Sequence, residues 1–341
     1  MSLNAAYRKV LDGKSLADAD IRFLVDLPLD RVPELARLAH ALRLARFGDQ
    51  VGLCAIVNAK SGGCSEDCAF CAQSSRSTAD GPRHPLLPAR DIAAAGEAAR
   101  ARGASRFGVV ASGKTVTARD FEGFVEAVGL VAGLGLAPDL SPGILDRAQL
   151  QALQRAGLQG YHHNLETSAS FFPSICTSHA YDEDVRAVRA GIQAGLHVCS
   201  GGIFGLGESW DDRVELALLL ASLGVDSVPI NFLQPIPGTP LAGREVLAPL
   251  EALKIVGVYR FLLPDAAIRI CGGRLPVFGA GDGAGGGREL LASGASGLMI
   301  GDYLTVRGGD ADRDLADIRA LGLRPEPCAM GHMPHPCIMD N

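Results

Sequence analysis

The stretch from Asp146 to Thr167, DRAQLQALQRAGLQGYHHNLET, holds a helix, a stop and a strand in that order. Asp146 is an N-cap residue, able to accept hydrogen bonds from the free N–H groups of a first helical turn. Leu150 and Leu153 stand three apart, so they share the core-facing side of a helix. Gly157 is a helix stop, because glycine enters the left-handed region without penalty. The run GYHHNLET (160–167) then reads as a strand.

This unit repeats in structure type, not in letters. Strand-like runs occur at 51–59, 106–112, 137–141, 160–167, 197–204, 227–234, 267–273 and 297–302, with helix-like segments between them. Gly103, Gly195, Gly224 and Gly294 close helices a few residues before a strand, as Gly157 does. Eight consecutive βα units without a mid-chain break predict an α/β fold of the (β/α)8 TIM-barrel type rather than a doubly wound open sheet. The spacing predicts N-terminal helices over residues 1–48, with Gly48 as a stop, the barrel over 49–322 and an irregular tail over 323–341. In a (β/α)8 barrel the chemistry sits at the C-terminal ends of the strands.

Composition bounds the function. The 341 residues are 48% hydrophobic and 21% charged, ordinary for a globular chain, and the net charge of −6 with no Lys/Arg cluster argues against nucleic acid or an anionic membrane as a partner. The N-terminal MSLNAAYRKVLDGKSL has no signal-peptide core, and no apolar run is long enough to span a bilayer. The expectation is a soluble cytoplasmic protein. Nine cysteines in such a compartment favour metal ligation or catalysis over disulfides.

Three of them, Cys64, Cys68 and Cys71, crowd the loop after the first strand in NAKSGGCSEDCAFCAQSS (58–75). A structural zinc site wants four ligands, usually as two close pairs. Three thiolates on a 4Fe-4S cluster leave one iron open to a small-molecule ligand, which accounts for the missing fourth cysteine. CSEDCAFC, with Phe70 as its aromatic residue, resembles the CxxxCxΦC signature of radical S-adenosylmethionine enzymes. The wider run, together with YHHNLETS (161–168), HVCSGGIFGLGES (197–209) and VPINFLQPIPGTPL (228–241), is similar to the biotin synthase family over roughly residues 50–325.

That resemblance implies that S-adenosylmethionine chelates the open iron and yields a 5′-deoxyadenosyl radical that attacks dethiobiotin. It implies that Asn164 and Glu166 contact the nucleoside and its ribose, and that GIFGLGE, with Gly202, Ile203, Gly205 and Glu208, packs beside adenine. The family often has Asp at the position of Glu166. Asn231 is a candidate for hydrogen bonding to substrate or cofactor, or else a satisfied core amide. Where the family commonly has Arg, this chain has Asp184, which leaves the carboxylate of S-adenosylmethionine without an assigned partner. A homodimer and a flavodoxin or ferredoxin electron donor are also implied.

The common biotin synthase holds a sulfur-donating 2Fe-2S cluster on three Cys and one Arg. Here two of those cysteine positions are Gly108 and Asp139, so only Cys199 and Arg269 remain. Cys271 follows Arg269 by two and faces the same side of its strand. The Pro-rich tail PEPCAMGHMPHPCIMDN (325–341), which reads as neither helix nor regular strand, adds Cys328 and Cys337. The expectation is an auxiliary cluster of the four-iron kind on Cys199, Cys271, Cys328 and Cys337, with the tail folded over the barrel. A zinc site made by the tail cysteines with His332 and His335 is the competing reading. Cys54 and Cys176 read as packing residues, with lining of the barrel interior as the other reading for Cys54, and the glycine run 279–287 as a loop at the barrel mouth. Other functions left open are a relative acting in hydrogenase-cofactor maturation or methylornithine formation, and a non-catalytic iron–sulfur carrier.

Overall fold

The computed structural model describes residues 2–279, 285–306 and 308–327. Among the described residues there are ten strands: β1 Gln50–Lys60, β2 Arg106–Ala111, β3 Ala137–Ser141, β4 Gly160–His162, β5 His197–Cys199, β6 Gly202–Phe204, β7 Ser227–Phe232, β8 Ala267–Ile270, β9 Gly297–Met299 and β10 Arg324–Pro325. Every pairing is parallel, in the order β10-β1-β2-β3-β4-β5-β7-β8-β9, with β6 on β7, and β9 pairs back onto β1. That last pairing closes the barrel. The run 197–204 is two short strands, because the chain breaks pairing at Ser200 and Gly201; β5 and β6 together fill one stave.

Helices are α1 Leu3–Leu11, α2 Asp18–Val25, α3 Val32–Phe47, α4 Ala89–Ala101, α5 Ala118–Gly133, α6 Arg147–Ala156, α7 Tyr181–Gln193, α8 Trp210–Leu223, α9 Pro249–Leu262, α10 Arg274–Phe278, α11 Gly287–Ala292 and α12 Ala311–Ala320. None among the described residues is long and apolar enough to cross a membrane. In α6 the Asp146 carboxylate accepts from the Gln149 amide at 2.8 Å while Gln149 Oε1 accepts from the Asp146 amide at 2.9 Å, a reciprocal cap. Gly157 ends it at φ 109°, and Leu150 and Leu153 are fully buried, each worth about 1.5–3 kcal/mol of burial.

The main core lies between the barrel and its surrounding helices, from Val51 and Leu53 through Tyr161 and Val198 to Ile268 and Leu298. A second cluster joins α1–α3 to α9 through Leu3, Leu24, Leu35 and Phe261, so the N-terminal helices pack outside the barrel wall.

The chain departs from expectation at its end. Pro325 closes the parallel strand β10, and Glu326 donates its amide to Val51 O at 2.8 Å. Proline fits there because β10 is an edge strand. The described chain therefore leaves at the start of β1, the barrel end opposite the cysteine loop. Cys328, Cys337, His332 and His335 lie outside the described residues, as do residues 280–284 of the glycine run.

A candidate radical-cluster and sulfur chamber

The loop after β1 folds back on itself. Gly62 and Gly63 take φ of 78° and 65°, which turns the chain sharply as it leaves the strand. Cys64 donates its amide to Gln73 O at 3.1 Å and accepts from Ser75 N at 2.8 Å, while Cys71 N donates to Cys68 O at 3.0 Å. All three cysteines are thereby held on one short loop at the C-terminal end of the barrel. No cysteine among the described residues forms a disulfide. Burial raises the Cys71 thiol, and a hydrogen bond with Cys176 raises Cys68.

The loop is fastened to the segment before α7. Ala69 N donates to Ile175 O at 2.8 Å, and the Asp67 carboxylate accepts from the amides of Thr177 at 2.9 Å and Ser178 at 3.1 Å. A buried relay stands behind it. His179 Nδ1 bonds Glu66 at 2.6 Å, His179 Nε2 bonds Asp184 at 3.0 Å, and His163 Nε2 bonds the other oxygen of Asp184 at 2.8 Å. The hydrogen bond to Asp184 lifts His179 to about 9. Burial works to raise Asp184, but the two histidines outweigh it and hold it low. Asp184, the residue that departs from the family's Arg, is thus a counter-ion inside the protein.

Below the loop opens a cavity of about 310 Å³. Phe70, Cys71, Asn164, Glu166, Ile203 and Asn231 line it, so the structure brings these sequence candidates together. The strand expected over 160–167 stops at His162, and Asn164 and Glu166 follow it in a strap clipped to the break between β5 and β6. Asn164 Oδ1 accepts from Gly201 N at 3.2 Å, Glu166 N donates to Gly201 O at 3.1 Å, and Ile203 N donates to Glu166 O at 2.8 Å. Glu166 takes φ 65°, a left-handed conformation that costs energy for a residue with a Cβ. Burial pushes its carboxyl up to about 7. A Cβ on Gly202 would stand 2.3 Å from Glu166 O, so that glycine makes the strap possible.

Other candidates serve the frame. Glu208 accepts from Gly205 N at 2.9 Å and Gly207 N at 3.0 Å and is ion-paired to Arg213 at 2.9 Å; it braces its own loop and does not line the cavity. The Asn231 amide is satisfied by backbone, donating to Gly202 O at 3.2 Å and accepting from Gly272 N at 2.8 Å.

The lower cavity carries a second set of thiols. Cys199 and Cys271 line it with Arg269, and so does Cys54, which takes the barrel-interior position rather than the packing one. Strand pairing accounts for this. Cys54 pairs with Arg106 and Met299, both of which also line the cavity. The Cys54 thiol donates to Leu298 O at 3.9 Å and the Cys271 thiol to Arg269 O at 3.8 Å. The influence of each thiol on the other draws Cys54 down to about 7 and drives Cys271 well up, and burial pushes Cys199 up to about 12. Arg269 Nε donates to Ser227 Oγ at 3.0 Å, while its buried Nη1 has no hydrogen-bond partner. Asp139, where a relative would have a cysteine, is paired with Arg106 at 2.9 Å through Nε. A Cβ on Gly160 would fall 1.8 Å from Asp139 Oδ1, so the glycine that starts β4 makes room for this pair.

Two family models match the chain, the Radical SAM superfamily over residues 59–220 and the Biotin and Thiamin Synthesis associated domain over residues 229–324. The chain is 44% identical over 322 residues to a biotin synthase of Syntrophotalea carbinolica, covering 94% of this chain and 97% of that protein. It is 42% identical over 332 residues to a biotin synthase of Citrifermentans bemidjiense, covering 96% and 98%. Among solved structures it resembles a methylornithine synthase (TM-score 0.80, 23% identity, covering 95% of this chain and 98% of that one). It also resembles the FeFe-hydrogenase maturase HydG from Carboxydothermus hydrogenoformans (TM-score 0.77, 15% identity, covering 96% and 80%). At those identities the solved structures speak for the fold.

Proposed function

The chain belongs to the biotin synthase family of the radical S-adenosylmethionine superfamily, and from that premise we propose that it inserts sulfur into dethiobiotin using two separate sets of thiols in one barrel. The observation that carries this reading is the cavity itself. It has a three-cysteine loop at its mouth and Cys54, Cys199 and Cys271 with Arg269 lower down.

Cys64, Cys68 and Cys71 would hold a 4Fe-4S cluster, and Cys54, Cys199 and Cys271 would contribute to an auxiliary iron–sulfur cluster. The donor chemistry fits, since both sets are reduced thiols and the buried Arg269 Nη1 awaits an anionic partner. When bound, these groups supply one electron to the sulfonium of S-adenosylmethionine and a sulfur atom to the substrate radical. The chain's own part is to bind, orient and exclude water. Asn164 and Glu166 present an amide and a carboxylate for the nucleoside, with Ile203 and Phe70 as apolar walls. Below pH 7 the Glu166 carboxyl is neutral; above it the carboxylate accepts from ribose hydroxyls.

The auxiliary cluster is of the four-iron kind, with one tail cysteine, Cys328 or Cys337, completing its four ligands. Three inward thiols in the described chamber support this, because the tail need supply fewer ligands than the sequence suggested. The enzyme works as a homodimer with a flavodoxin or ferredoxin donor. The test is anaerobic incubation of the reconstituted protein with S-adenosylmethionine, a reductant and dethiobiotin. The expected products are 5′-deoxyadenosine and biotin. Absence of 5′-deoxyadenosine would sink the enzyme reading. Alanine at Cys328 and Cys337 should lower iron and sulfide by roughly one cluster; unchanged iron would remove the tail from the ligand set.

A further inference from the structure

Cys176 lies outside both thiol sets, yet its Sγ stands 3.9 Å from Cys68 Sγ. The backbone explains the proximity. Ala69 N donates to Ile175 O, and the Asp67 carboxylate accepts from Thr177 N. The neighbours of Cys68 on each side are thus tied to the neighbours of Cys176 on the opposite sides, one through backbone and one through the Asp67 carboxylate, which holds the two thiols against each other. An S–S bond of about 2.05 Å requires the two sulfurs to close by about 2 Å from this contact. Cys176 is 3% exposed and packs with Phe172, Ile175, Leu206 and Leu233, so only a small oxidant reaches it.

We propose that Cys176 is a modification site, the disulfide partner of Cys68 whenever the loop holds no cluster. The inference rests on the reading of Cys68 as a cluster ligand. With hydrogen peroxide as oxidant, one thiolate attacks the O–O bond, becomes a sulfenic acid and releases water. The second thiol then displaces a second water and the S–S bond forms. Two thiols lose two electrons and two protons, and one peroxide becomes two waters. The bond withdraws one of three loop ligands from iron, keeps Cys68 from irreversible oxidation, and reopens on reduction by a dithiol.

The test is made on the full-length, cluster-free chain. It is treated with one equivalent of hydrogen peroxide, alkylated, digested without reductant and mapped by mass spectrometry. The expected result is a peptide pair joined through Cys68 and Cys176, lighter by two hydrogens, with iron uptake lowered by roughly one cluster and then restored by dithiothreitol. With peroxide raised to several equivalents, Cys176→Ser should take up iron normally before oxidation and fail to recover fully after it, because Cys68 consumes a second peroxide and proceeds to the sulfinic acid, while wild type recovers. Cys176→Ala serves the same comparison should the serine variant fold poorly. Cys68 joined to Cys64 or Cys71, or Cys176 fully alkylated after oxidation, overturns the pairing. A Cys68–Cys176 bond that leaves iron uptake intact overturns the blocking role and, with it, the ligand assignment of Cys68.

Discussion

Replacing His179 by glutamine should remove the cation that fastens the cysteine loop. The imidazolium is held between Glu66 at 2.6 Å and Asp184 at 3.0 Å, with a side chain only 9% exposed. Its pKa rises from 6.5 to about 9, chiefly through the hydrogen bond to Asp184. At about 1.4 kcal/mol per tenfold, that rise is worth about 3 kcal/mol of folding stability. Because the folded state holds the proton more tightly, the whole contribution is present below pH 6.5 and is lost as pH climbs through about 9. Urea unfolding of the cluster-free chain at about pH 6 and at about pH 9.5 measures it. Cysteines and tyrosines also titrate in this window, so the informative quantity is the gap between wild type and His179→Gln. That gap should be about 3 kcal/mol at the lower pH and should shrink at the higher one. A gap independent of pH would refute the reasoning. As Glu66 lies inside CSEDC, the same variant should also retain less iron after anaerobic reconstitution.

Three further outcomes follow from the chamber. Cleavage of S-adenosylmethionine should rise with pH through about 7 as Glu166 ionises, and Glu166→Gln should abolish that limb in the pH profile. Asp139→Leu should destabilise the fold by about 3–5 kcal/mol in denaturant titrations, because it strands Arg106; Arg106→Met with Asp139→Leu should restore most of the loss. Gly202→Ala should lose 5′-deoxyadenosine formation while keeping its circular dichroism spectrum, since the added methyl meets Glu166 O at 2.3 Å and displaces the strap.

The barrel was legible because its signals are local. The Asp146 cap, the Leu150/Leu153 face and the Gly157 stop were each readable alone, and eight repetitions of that unit leave few architectures. The cysteine loop was legible because its ligands are close in sequence. What escaped was set by tertiary neighbours. Of the two readings for Cys54, packing ranks first, because nothing in its own segment shows that Cys271, more than two hundred residues later, lines the same chamber. Asp184 was visible as a departure, but its partners come from the strap after β4 and from the segment before α7, so its role as a counter-ion required the fold. Glu208 carried a family motif, yet its own loop's amides and Arg213 satisfy it.

The most direct test of the two-set account is a single variant with alanine at Cys54, Cys199 and Cys271, compared with wild type after anaerobic reconstitution. Iron, sulfide, 5′-deoxyadenosine and biotin are measured on the same preparation. The account predicts that iron and sulfide fall by roughly one cluster, that 5′-deoxyadenosine still forms, and that biotin does not. Full iron content with biotin still produced would contradict it.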